Sequence, residues 1–440
     1  MTDVTAQPDL VGQRLEGLPG PDSTVPYRTL PKERYTSREV HDAEKRKLWP
    51  ATWLSTCREE NIPNPGDYFE FTIVDQAILL VRQRDGGIKA FYNACSHRGM
   101  PLVCGAGNKK DFRCPFHAWT FAIDGALASI PSPDEFSNSD YSLPEVRVDT
   151  WSGYIFVNMD GEAPPLAEYL SPATDVLDGF RIGDMRFSKV NRITMPCNWK
   201  LAIEAFIEAY HLPGTHPQTI MSMDDVNTTA ERVGIHSNGI IPEFIASPRI
   251  GADDEEMVFE ALVADLTEMG LAPDKDATLD DSRSTRLELP EGMTAAEFFI
   301  GMQRQMAEAE GVDLSHLTDQ QMREYHLWHL FPNLVLQVNG PIVLGWRAYP
   351  NGDDPDSCIL EELICRLVGP DSAGETAEWI EYDSWHDYDC PALLQQDFSN
   401  LERMQVGMKQ RGYRGVVLAQ RQEDRIQHMA EVIERYLSRD

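Results

Sequence analysis

Two short pairs of cysteine and histidine restrict this sequence more than any other feature. The first pair is Cys95-x-His97, and the second pair, Cys114-x-x-His117, follows after sixteen residues. A finger-type zinc site places two cysteines before two histidines, and a c-type haem needs two cysteines directly ahead of one histidine. The alternating order fits neither of these arrangements. A structural zinc site of another kind remains the alternative to an iron–sulfur cluster.

Alternating cysteine and histidine on two separate loops is the pattern of a Rieske [2Fe–2S] centre. One iron would take the thiolates of Cys95 and Cys114, and the other would take the imidazoles of His97 and His117. Neutral imidazoles in place of two thiolates raise the reduction potential, so that the cluster can accept an electron from a ferredoxin and pass it on. Cys104 lies outside the pattern, and we interpret it as an ordinary loop residue.

The residues around both pairs predict loops at the end of an antiparallel sheet. The flanking segments alternate and are rich in β-branched and aromatic residues, with turn signals at residues 85–87 (Asp-Gly-Gly) and 124–125 (Asp-Gly). We therefore predict an antiparallel β domain that carries the cluster over residues 49–165. An N-terminal arm and helix over residues 1–48 would precede it.

A second group of titratable residues follows in the segment NWKLAIEAFIEAYHLPGTHP, residues 198–217. Its spacing predicts a helix that is apolar on nearly all sides and therefore buried, with Glu204, Glu208 and His211 on one face. Buried carboxylates require a metal or a fixed hydrogen-bond partner. His216 follows in the turn after the helix. Two histidines with a carboxylate form the facial triad of oxygen-activating Fe(II) enzymes; ordinary polar packing of the histidines is the alternative.

Together these motifs resemble those of the α (oxygenase) subunit of the Rieske non-haem iron oxygenases, the aromatic-ring hydroxylases and their relatives. The matching elements are Cys-x-His-Arg-Gly, Cys-Pro-Phe-His-Ala-Trp, the Asn-Trp-Lys start at Asn198, and Glu208-x-x-His211-x4-His216. The resemblance extends over residues 40–440. It implies that His211 and His216 bind a mononuclear Fe(II).

The resemblance also implies a third iron ligand, an aspartate on a late helix. Asp397 in Gln-Gln-Asp-Phe is the matching residue. Asp387 and Asp389 lie nearby but precede Pro391, outside the predicted helix, so we prefer Asp397.

The family further places a carboxylate between a Rieske histidine of one subunit and an iron-binding histidine of the next. Glu208 occupies this position, where the more often described members have Asp. Members with Glu include enzymes that act on N-methyl groups. Such a carboxylate orients the imidazole and raises its basicity, and it couples the two centres.

The implied fold class is α+β, with the N-terminal antiparallel β Rieske domain followed by a helix-on-antiparallel-sheet (START-like) catalytic domain over residues 166–440. Residues 220–330 are expected to be a helical insertion that includes a helix near residues 294–311. A capping box at Thr318 predicts a further helix that carries His326 and His329. Strands are expected from residue 331 onward.

Charge and composition exclude some classes of partner. The net charge of −32 argues against nucleic acid as a ligand. Within residues 80–117, however, basic residues predominate, which suits docking of an acidic electron carrier or, alternatively, is only a solvated loop surface. The docking candidates are Arg98, Lys109, Lys110 and Arg113. The chain lacks a signal-peptide pattern and any apolar stretch near the roughly 20 residues of a membrane helix, and its scattered cysteines do not suggest a secreted disulfide framework. We expect a cytoplasmic protein.

The expected function is that of a terminal oxygenase component that uses O2 and electrons from a ferredoxin and/or an NAD(P)H-dependent reductase to hydroxylate a hydrophobic, aromatic small molecule. Oxidative N- or O-dealkylation by the same centre is the alternative reaction. Two other classes of protein fit the sequence less well. A pure electron carrier would not need some 270 further residues with an iron triad, and an iron-free binding module would not need the triad at all. The family implies a homotrimer, with β subunits left open. The candidate pocket residues are Ala205, Leu212, Ile220, Met221 and Leu394.

Overall fold

The structure, a computed structural model, describes residues 29–137, 139–251, 254–268, 287–369 and 377–439. Most of the predicted N-terminal arm (residues 1–28) and part of the predicted insertion (residues 269–286) lie outside the described residues. Within the described ranges, none of the helices has both the length and the apolar character needed to cross a bilayer. All eight cysteines are described, and each is a free thiol.

The first described elements connect the N-terminal region to the rest of the molecule. They are β1 (Thr29–Leu30), α1 (Glu33–Thr36) and α2 (Arg38–Lys47). The buried Glu44 on α2 accepts hydrogen bonds from Lys200 Nζ at 2.7 Å and from Trp199 Nε1 at 3.0 Å. Because a buried charge is stable only when it is paired and hydrogen-bonded, this contact attaches α2 firmly to the segment that contains the second group of candidate ligands.

An antiparallel β domain follows, and the prediction of this fold is confirmed. Seven strands form one sheet in the order β2-β11-β10-β5-β4-β3-β6, and β7-β8-β9 form a small second sheet. The strands are β2 (Leu54–Arg58), β3 (Asp67–Ile73), β4 (Gln76–Arg82), β5 (Ile88–Tyr92), β6 (Ala106–Asn108), β7 (Asp111–Arg113), β8 (Thr120–Ala122), β9 (Leu127–Ser129), β10 (Glu145–Trp151) and β11 (Tyr154–Asn158).

The Asp-Gly turn between β8 and β9 requires its glycine for two reasons. Gly125 has a φ of +85°, a conformation that L side chains rarely adopt. A Cβ at this position would also lie 2.3 Å from a ring carbon of Phe91. The turn therefore allows the small sheet to approach the large one closely.

The remaining elements form the second region, which begins at residue 166. In chain order they are α3 (Leu166–Leu170), α4 (Ala173–Leu177), β12 (Met185–Met195), α5 (Trp199–Glu204), α6 (Leu212–Thr215), β13 (Glu231–Val233), β14 (His236–Pro242), α7 (Glu255–Glu268), α8 (Ala295–Ala309), α9 (Asp319–Met322), β15 (Glu324–Leu330), β16 (Leu334–Asn339), β17 (Ile342–Asn351), β18 (Asp354–Leu367), β19 (Glu378–Tyr382), α10 (Ala392–Met408), β20 (Val416–Val417) and α11 (Asp424–Leu437).

An eight-stranded sheet in the order β13-β14-β15-β16-β17-β18-β12-β19 forms the base of this region. Its pairs are antiparallel except for the edge strand β19, which runs parallel to β12. Side chains alternate between the two faces, as the pleat requires. Leu334, Leu336 and Val338 of β16 belong to one apolar core, whereas Val335 belongs to the other.

The core that contains Val335 extends through both regions of the molecule. It includes Leu54 and Ile78 from the first sheet, Trp199 from α5 and Phe398 from α10. The two helices that carry or precede the candidate iron ligands are therefore packed between the large sheet and the N-terminal domain. This shared burial fixes where α5 and α10 lie.

The prediction that a helix carries His326 and His329 is wrong. The capping box of Thr318 and Gln321 is present, but the helix it begins ends at Met322. Residues 324–330 instead form β15, which pairs with β14 and β16. The spacing of the histidines resembled a helical face, but Tyr325, Leu327 and Trp328 suit a strand once two neighbouring strands are available.

The segment 220–330, expected to be a helical insertion, combines helices and strands. Helix α8 (Ala295–Ala309) lies where a helix was predicted, and Thr294 and Glu297 form a capping box at its start. Strands β13, β14 and β15 also fall within the segment. They belong to the large sheet, so the sheet begins well before residue 331.

Candidate metal centres

The first candidate centre lies at the ends of two loops of the N-terminal domain. Cys95 and His97 follow β5, and Cys114 and His117 lie between β7 and β8. Hydrogen bonds from Cys95 N to Met100 O (2.9 Å) and from Cys114 N to the carbonyl oxygen of Trp119 (2.8 Å) close the two loops. Each loop is therefore a tight turn that presents one cysteine and one histidine.

The side chains of these four residues suit an iron–sulfur cluster. Cys95 and Cys114 are each 3% exposed, and burial together with the neighbouring thiol raises the pKa of Cys95. The rings of His97 and His117 lie 4.7 Å apart, and Nδ1 of His117 is buried without a hydrogen-bond partner. Buried thiolates need a compensating cation, and an unpartnered imidazole nitrogen can bind one. The donor set of two sulfurs and two nitrogens fits a Rieske [2Fe–2S] cluster.

The rim of this centre is exposed and partly apolar. Phe116 is 58% exposed and Met100 is 41% exposed. The guanidinium of Arg98 lies 5.4 Å from the centre of the Phe116 ring. Four basic side chains in and around these loops are also exposed: Arg98, Lys109, Lys110 and Arg113. The cluster loops thus present apolar and positively charged groups side by side. Cys104 is exposed, as expected of a loop residue.

The second candidate centre begins where α5 ends. The prediction of one long helix that continues to His211 is wrong, because α5 ends at Glu204. The following backbone bonds shift to shorter spacing, with Phe206 N donating to Ile203 O at 3.1 Å and Ile207 N donating to Glu204 O at 3.3 Å. Tyr210, which falls within the segment predicted to be a buried helix, is 52% exposed.

Glu204 is consequently separated from Glu208 and His211. Its carboxylate accepts a hydrogen bond from Tyr35 Oη at 2.9 Å. Burial raises the pKa of Glu204 to about 8, although the Tyr35 hydrogen bond opposes this shift. Glu204 is therefore satisfied by an N-terminal partner, and it does not share a helix face with the histidines.

The side chain of Glu208 binds the backbone of the turn that follows it. Its Oε2 accepts hydrogen bonds from the backbone N–H groups of Tyr210 and of His211, which competes with a continued helix. Its Oε1 lies 2.6 Å from Nδ1 of His211. Burial alone would lower the pKa of His211, but the Glu208 carboxylate outweighs burial and raises this pKa to about 9.

The chain brings His216 and Asp397 to the same place from opposite ends of the second region. His216 follows the short helix α6, and Asp397 lies on α10. Asp397 Oδ1 lies 2.9 Å from Nε2 of His216 and 3.9 Å from Nε2 of His211. The three ligand atoms lie within 4.8 Å of one another. Asp387 and Asp389, the alternatives considered from sequence, are exposed.

The arrangement of acceptors around His216 favours a cation. Nδ1 of His216 lies 2.6 Å from Gln396 Oε1, and Nε2 lies 2.9 Å from the Asp397 carboxylate. A neutral imidazole has one proton and cannot donate to both oxygens. A cation bound by Nε2 and Asp397 resolves this conflict. Two imidazoles and one carboxylate fit Fe(II) with open coordination positions.

Sequence reasoning did not identify three polar neighbours of this centre. Gln396 precedes Asp397, and Gln218 donates to the same Gln396 oxygen at 3.2 Å. Burial raises the pKa of Glu423 to about 7, and the nearby Glu208 contributes to the shift. The sequence shows that Gln396 precedes Asp397 and that Gln218 follows two residues after His216. Only the fold shows that the two glutamines meet.

Two of the predicted pocket residues lie in a small apolar cluster next to this centre. Leu212 and Ile220 pack with three residues that sequence reasoning did not name: Ala209, Ile241 and Leu327. Leu394 is buried in the shared core, and Ala205 is packed against that core. Met221 is partly exposed. Contact of these residues with a substrate stays a prediction.

Comparison with known proteins identifies both regions. The model of the Rieske [2Fe–2S] domain matches residues 52–150, and that of the ring-hydroxylating α subunit (catalytic domain) matches residues 182–439. A carnitine monooxygenase oxygenase subunit from Acinetobacter pittii (strain PHEA-2) is 33% identical over 200 residues, 43% of this chain and 53% of that protein. Biphenyl 2,3-dioxygenase subunit alpha from Rhodococcus jostii (strain RHA1) is 32% identical over 228 residues, 49% of each chain. The chain thus spans about half the length of the curated relatives it matches.

Solved structures show the same fold along nearly the whole chain. A quaternary ammonium Rieske monooxygenase in complex with L-carnitine has a TM-score of 0.65 at 20% identity, covering 93% of this chain and 96% of that one. Naphthalene 1,2-dioxygenase with indole bound has a TM-score of 0.65 at 19% identity, covering 93% and 92%. The α+β fold class is confirmed, with a Rieske [2Fe–2S] domain followed by a catalytic domain that binds mononuclear iron. Because the catalytic-domain model covers more than half of its residues, the chain belongs to the ring-hydroxylating α-subunit family of Rieske non-haem iron oxygenases.

Proposed function

We propose that this chain is a terminal oxygenase component that uses O2 and externally supplied electrons to oxidise a hydrophobic small molecule. The observation that carries the proposal is the convergence of His211 Nε2 and His216 Nε2 on the carboxylate of Asp397 in a chain that also has a Rieske domain. An electron carrier needs only the Rieske domain, and a binding module needs neither the Rieske domain nor the iron triad.

The proposed roles of the residues follow from their contacts. Cys95, His97, Cys114 and His117 hold the [2Fe–2S] cluster, and His211, His216 and Asp397 hold Fe(II). When bound, Fe(II) with open positions supplies O2 activation beside the substrate. The chain's own residues orient the ligands: Glu208 holds the ring of His211 through Nδ1. The packed core around α5 and α10 fixes the positions of the segments that carry or precede these ligands.

Electron delivery is proposed to cross between neighbouring subunits of a trimer. The cluster rim around Phe116 and the segment around Tyr210, beside Glu208, are both exposed and therefore free to meet another copy of the chain. Glu208 would then connect a Rieske histidine of one copy with His211 of the next. A ferredoxin or an NAD(P)H-dependent reductase would dock on the exposed basic residues Arg98, Lys109, Lys110 and Arg113. The proposal leaves open whether β subunits join the trimer. It includes a cytoplasmic location, which the free thiols support.

The proposed substrate is hydrophobic, and hydroxylation of an aromatic compound is the first candidate reaction. The apolar cluster of Leu212, Ile220 and their neighbours next to His211 supports such a substrate. Relatives named as biphenyl and chlorobenzene dioxygenase α subunits agree with it. Oxidative N-dealkylation is the second candidate. It is favoured by the glutamate at position 208 and by relatives named as carnitine monooxygenase subunits.

A single-turnover experiment tests the function and separates these reactions. Iron-replete protein is chemically reduced and exposed to O2 with a pooled panel of aromatic, N-alkyl and O-alkyl compounds, and the products are identified by mass. We expect one panel member to gain one or two oxygen atoms or to lose an alkyl group. A reduced cluster that is not oxidised by O2 in the presence of any panel member would contradict the oxygenase proposal.

A mixing experiment tests the trimer. A His117→Ala chain lacks a cluster ligand, and an Asp397→Ala chain lacks an iron ligand. Co-expressed chains should regain part of the activity that each variant lacks, because one copy supplies the cluster and its neighbour supplies the iron. Assemblies that contain both chains and yet remain as inactive as either variant would contradict electron transfer between subunits.

A further inference from the structure

Gln396 is a partly buried amide next to the candidate iron site that belongs to no ligand set. It precedes Asp397 on α10, and its Oε1 lies 2.6 Å from Nδ1 of His216. Nε2 of Gln218 donates to the same oxygen at 3.2 Å. Nδ1 of His216 and the amide of Gln218 therefore both contact a single oxygen of Gln396.

The orientations of these three side chains depend on one another. A metal ion on Nε2 of His216 requires the ring proton to be on Nδ1, and Nδ1 then needs an acceptor. An amide offers an oxygen acceptor at one end and an N–H donor at the other. The donor group of Gln218 faces the Gln396 amide and selects the orientation in which the oxygen points to His216. Gln218 thus fixes Gln396, and Gln396 fixes the tautomer of His216.

The two imidazoles of the site have outer partners of different charge at the same distance. Nδ1 of His211 lies 2.6 Å from a carboxylate oxygen of Glu208, whereas Nδ1 of His216 lies 2.6 Å from a neutral amide oxygen. Glu208 and Asp397 together match the charge of a divalent metal ion. A carboxylate at position 396 would add a third negative charge next to the centre.

We propose that Gln396, held by Gln218, is a positioning residue that aims Nε2 of His216 at the metal through a hydrogen-bond acceptor for Nδ1. The anionic outer partner, Glu208, then lies on the His211 side, next to the exposed Tyr210. This role rests on the proposed ligands His211, His216 and Asp397. It makes the retention of iron, and not only turnover, depend on a hydrogen-bond acceptor at position 396.

The test is the rate at which a chelator removes the mononuclear iron from the full-length protein, with the Rieske EPR signal as an internal check of folding. Gln396→Leu preserves the approximate size of the side chain but removes the acceptor. We expect it to lose mononuclear iron about 10- to 100-fold faster than the wild type, the usual range for removal of an outer-shell partner. The EPR spectrum of the Fe(II)–nitric oxide adduct should change, and the Rieske signal should not.

Gln395→Leu is the matched control, because Gln395 is its exposed neighbour on α10 and its amide donates to Cys390 O at 2.8 Å. This variant should retain iron as the wild type does. Gln396→Glu should retain iron as the wild type does, in contrast to Gln396→Leu, because its carboxylate also accepts from Nδ1. Equal iron loss from Gln396→Leu and Gln395→Leu would overturn the positioning role.

Gln218→Leu tests the second half of the relay. It should accelerate iron loss less than Gln396→Leu does and should add nothing in the Gln396→Leu background, since its effect passes through that amide. Full additivity would overturn the relay. His216→Ala should lose mononuclear iron completely; retention there would refute the ligand set itself. Loss in His216→Ala with unchanged Gln396→Leu would refute only the role of Gln396.

Discussion

The two metal centres of this chain are built in opposite ways. The proposed Rieske ligands come from two short loops within 23 residues of sequence, and backbone hydrogen bonds inside each loop set their directions. The candidate iron ligands come from segments that are 181 residues apart, and tertiary packing brings them together. A local centre can be recognised from spacing alone, whereas the second centre depends on the core that fixes α5 and α10.

This difference explains which parts of the site could be predicted from sequence. The alternation of Cys95, His97, Cys114 and His117 predicts a type of cluster from sequence alone, because each pair is confined to one loop. The pairing of Glu208 with His211 was also accessible, since the residues are three apart and a turn brings them together. Gln396 could not be assigned a role, because nothing local connects it with Gln218 or His216.

The errors in the fold have the same origin. The segment after Glu204 has helical spacing, but the Glu208 side chain takes the backbone N–H groups that a longer helix would use. Residues 324–330 have helically spaced histidines, but two neighbouring strands offer a full set of backbone partners. In both places the folded chain offers the backbone other hydrogen-bond partners, which local helix propensity does not take into account.

The largest expected effect comes from removing the carboxylate that joins the two distant segments. Asp397→Ala should abolish mononuclear iron binding and turnover, while the Rieske EPR signal remains. Metal analysis and EPR on the same sample check this result. Asp389→Ala, an exposed neighbour outside α10, is the control and should keep both. Retained iron in Asp397→Ala would move the third ligand to another residue.

A smaller effect is expected where the two centres are proposed to communicate. Glu208→Gln should retain both metals but turn over about 10- to 100-fold more slowly, because a neutral amide orients His211 less strongly than a carboxylate does. Stopped-flow oxidation of the reduced cluster in the presence of O2 and substrate measures the step concerned. Glu402→Gln, a partly exposed carboxylate on α10 that contacts Trp385, should be unaffected. Wild-type rates in Glu208→Gln would remove this residue from the electron path.

Glu204, at the end of α5 in the scaffold of the iron site, should carry a pH-dependent stability cost. The pKa of Glu204 is raised from 4.5 to about 8. Below pH 4.5 the carboxyl group is protonated in both the folded and unfolded states, and from there to about pH 8 only the unfolded form ionises freely. Folding stability therefore falls as pH rises through this window.

Glu204→Gln should remove this dependence while its amide oxygen still accepts from Tyr35. We expect the free energy of unfolding at pH 8 to rise by about 1–3 kcal/mol over the wild type, with little gain at pH 5. Denaturant unfolding at the two pH values measures it. An equal effect of the substitution at pH 5 and pH 8 would show that Glu204 is ionised in the folded protein.

The smallest expected effect concerns the cysteine that the spacing pattern excludes. Cys104→Ser should leave the Rieske EPR spectrum, its midpoint potential and turnover unchanged, because Cys104 is exposed and lies outside both loops' ligand positions. Cys114→Ser, a substitution of the same size, should lose the native spectrum. If Cys104→Ser altered the spectrum, the assignment of ligands by sequence spacing would be incomplete.

The most direct test of two separate centres in one chain is the iron and acid-labile sulfide content of purified, iron-reconstituted protein, measured per chain. A [2Fe–2S] cluster together with one mononuclear site predicts three iron atoms and two sulfides. Two irons with two sulfides would contradict the site at His211, His216 and Asp397. Iron without sulfide would contradict the cluster at Cys95, His97, Cys114 and His117.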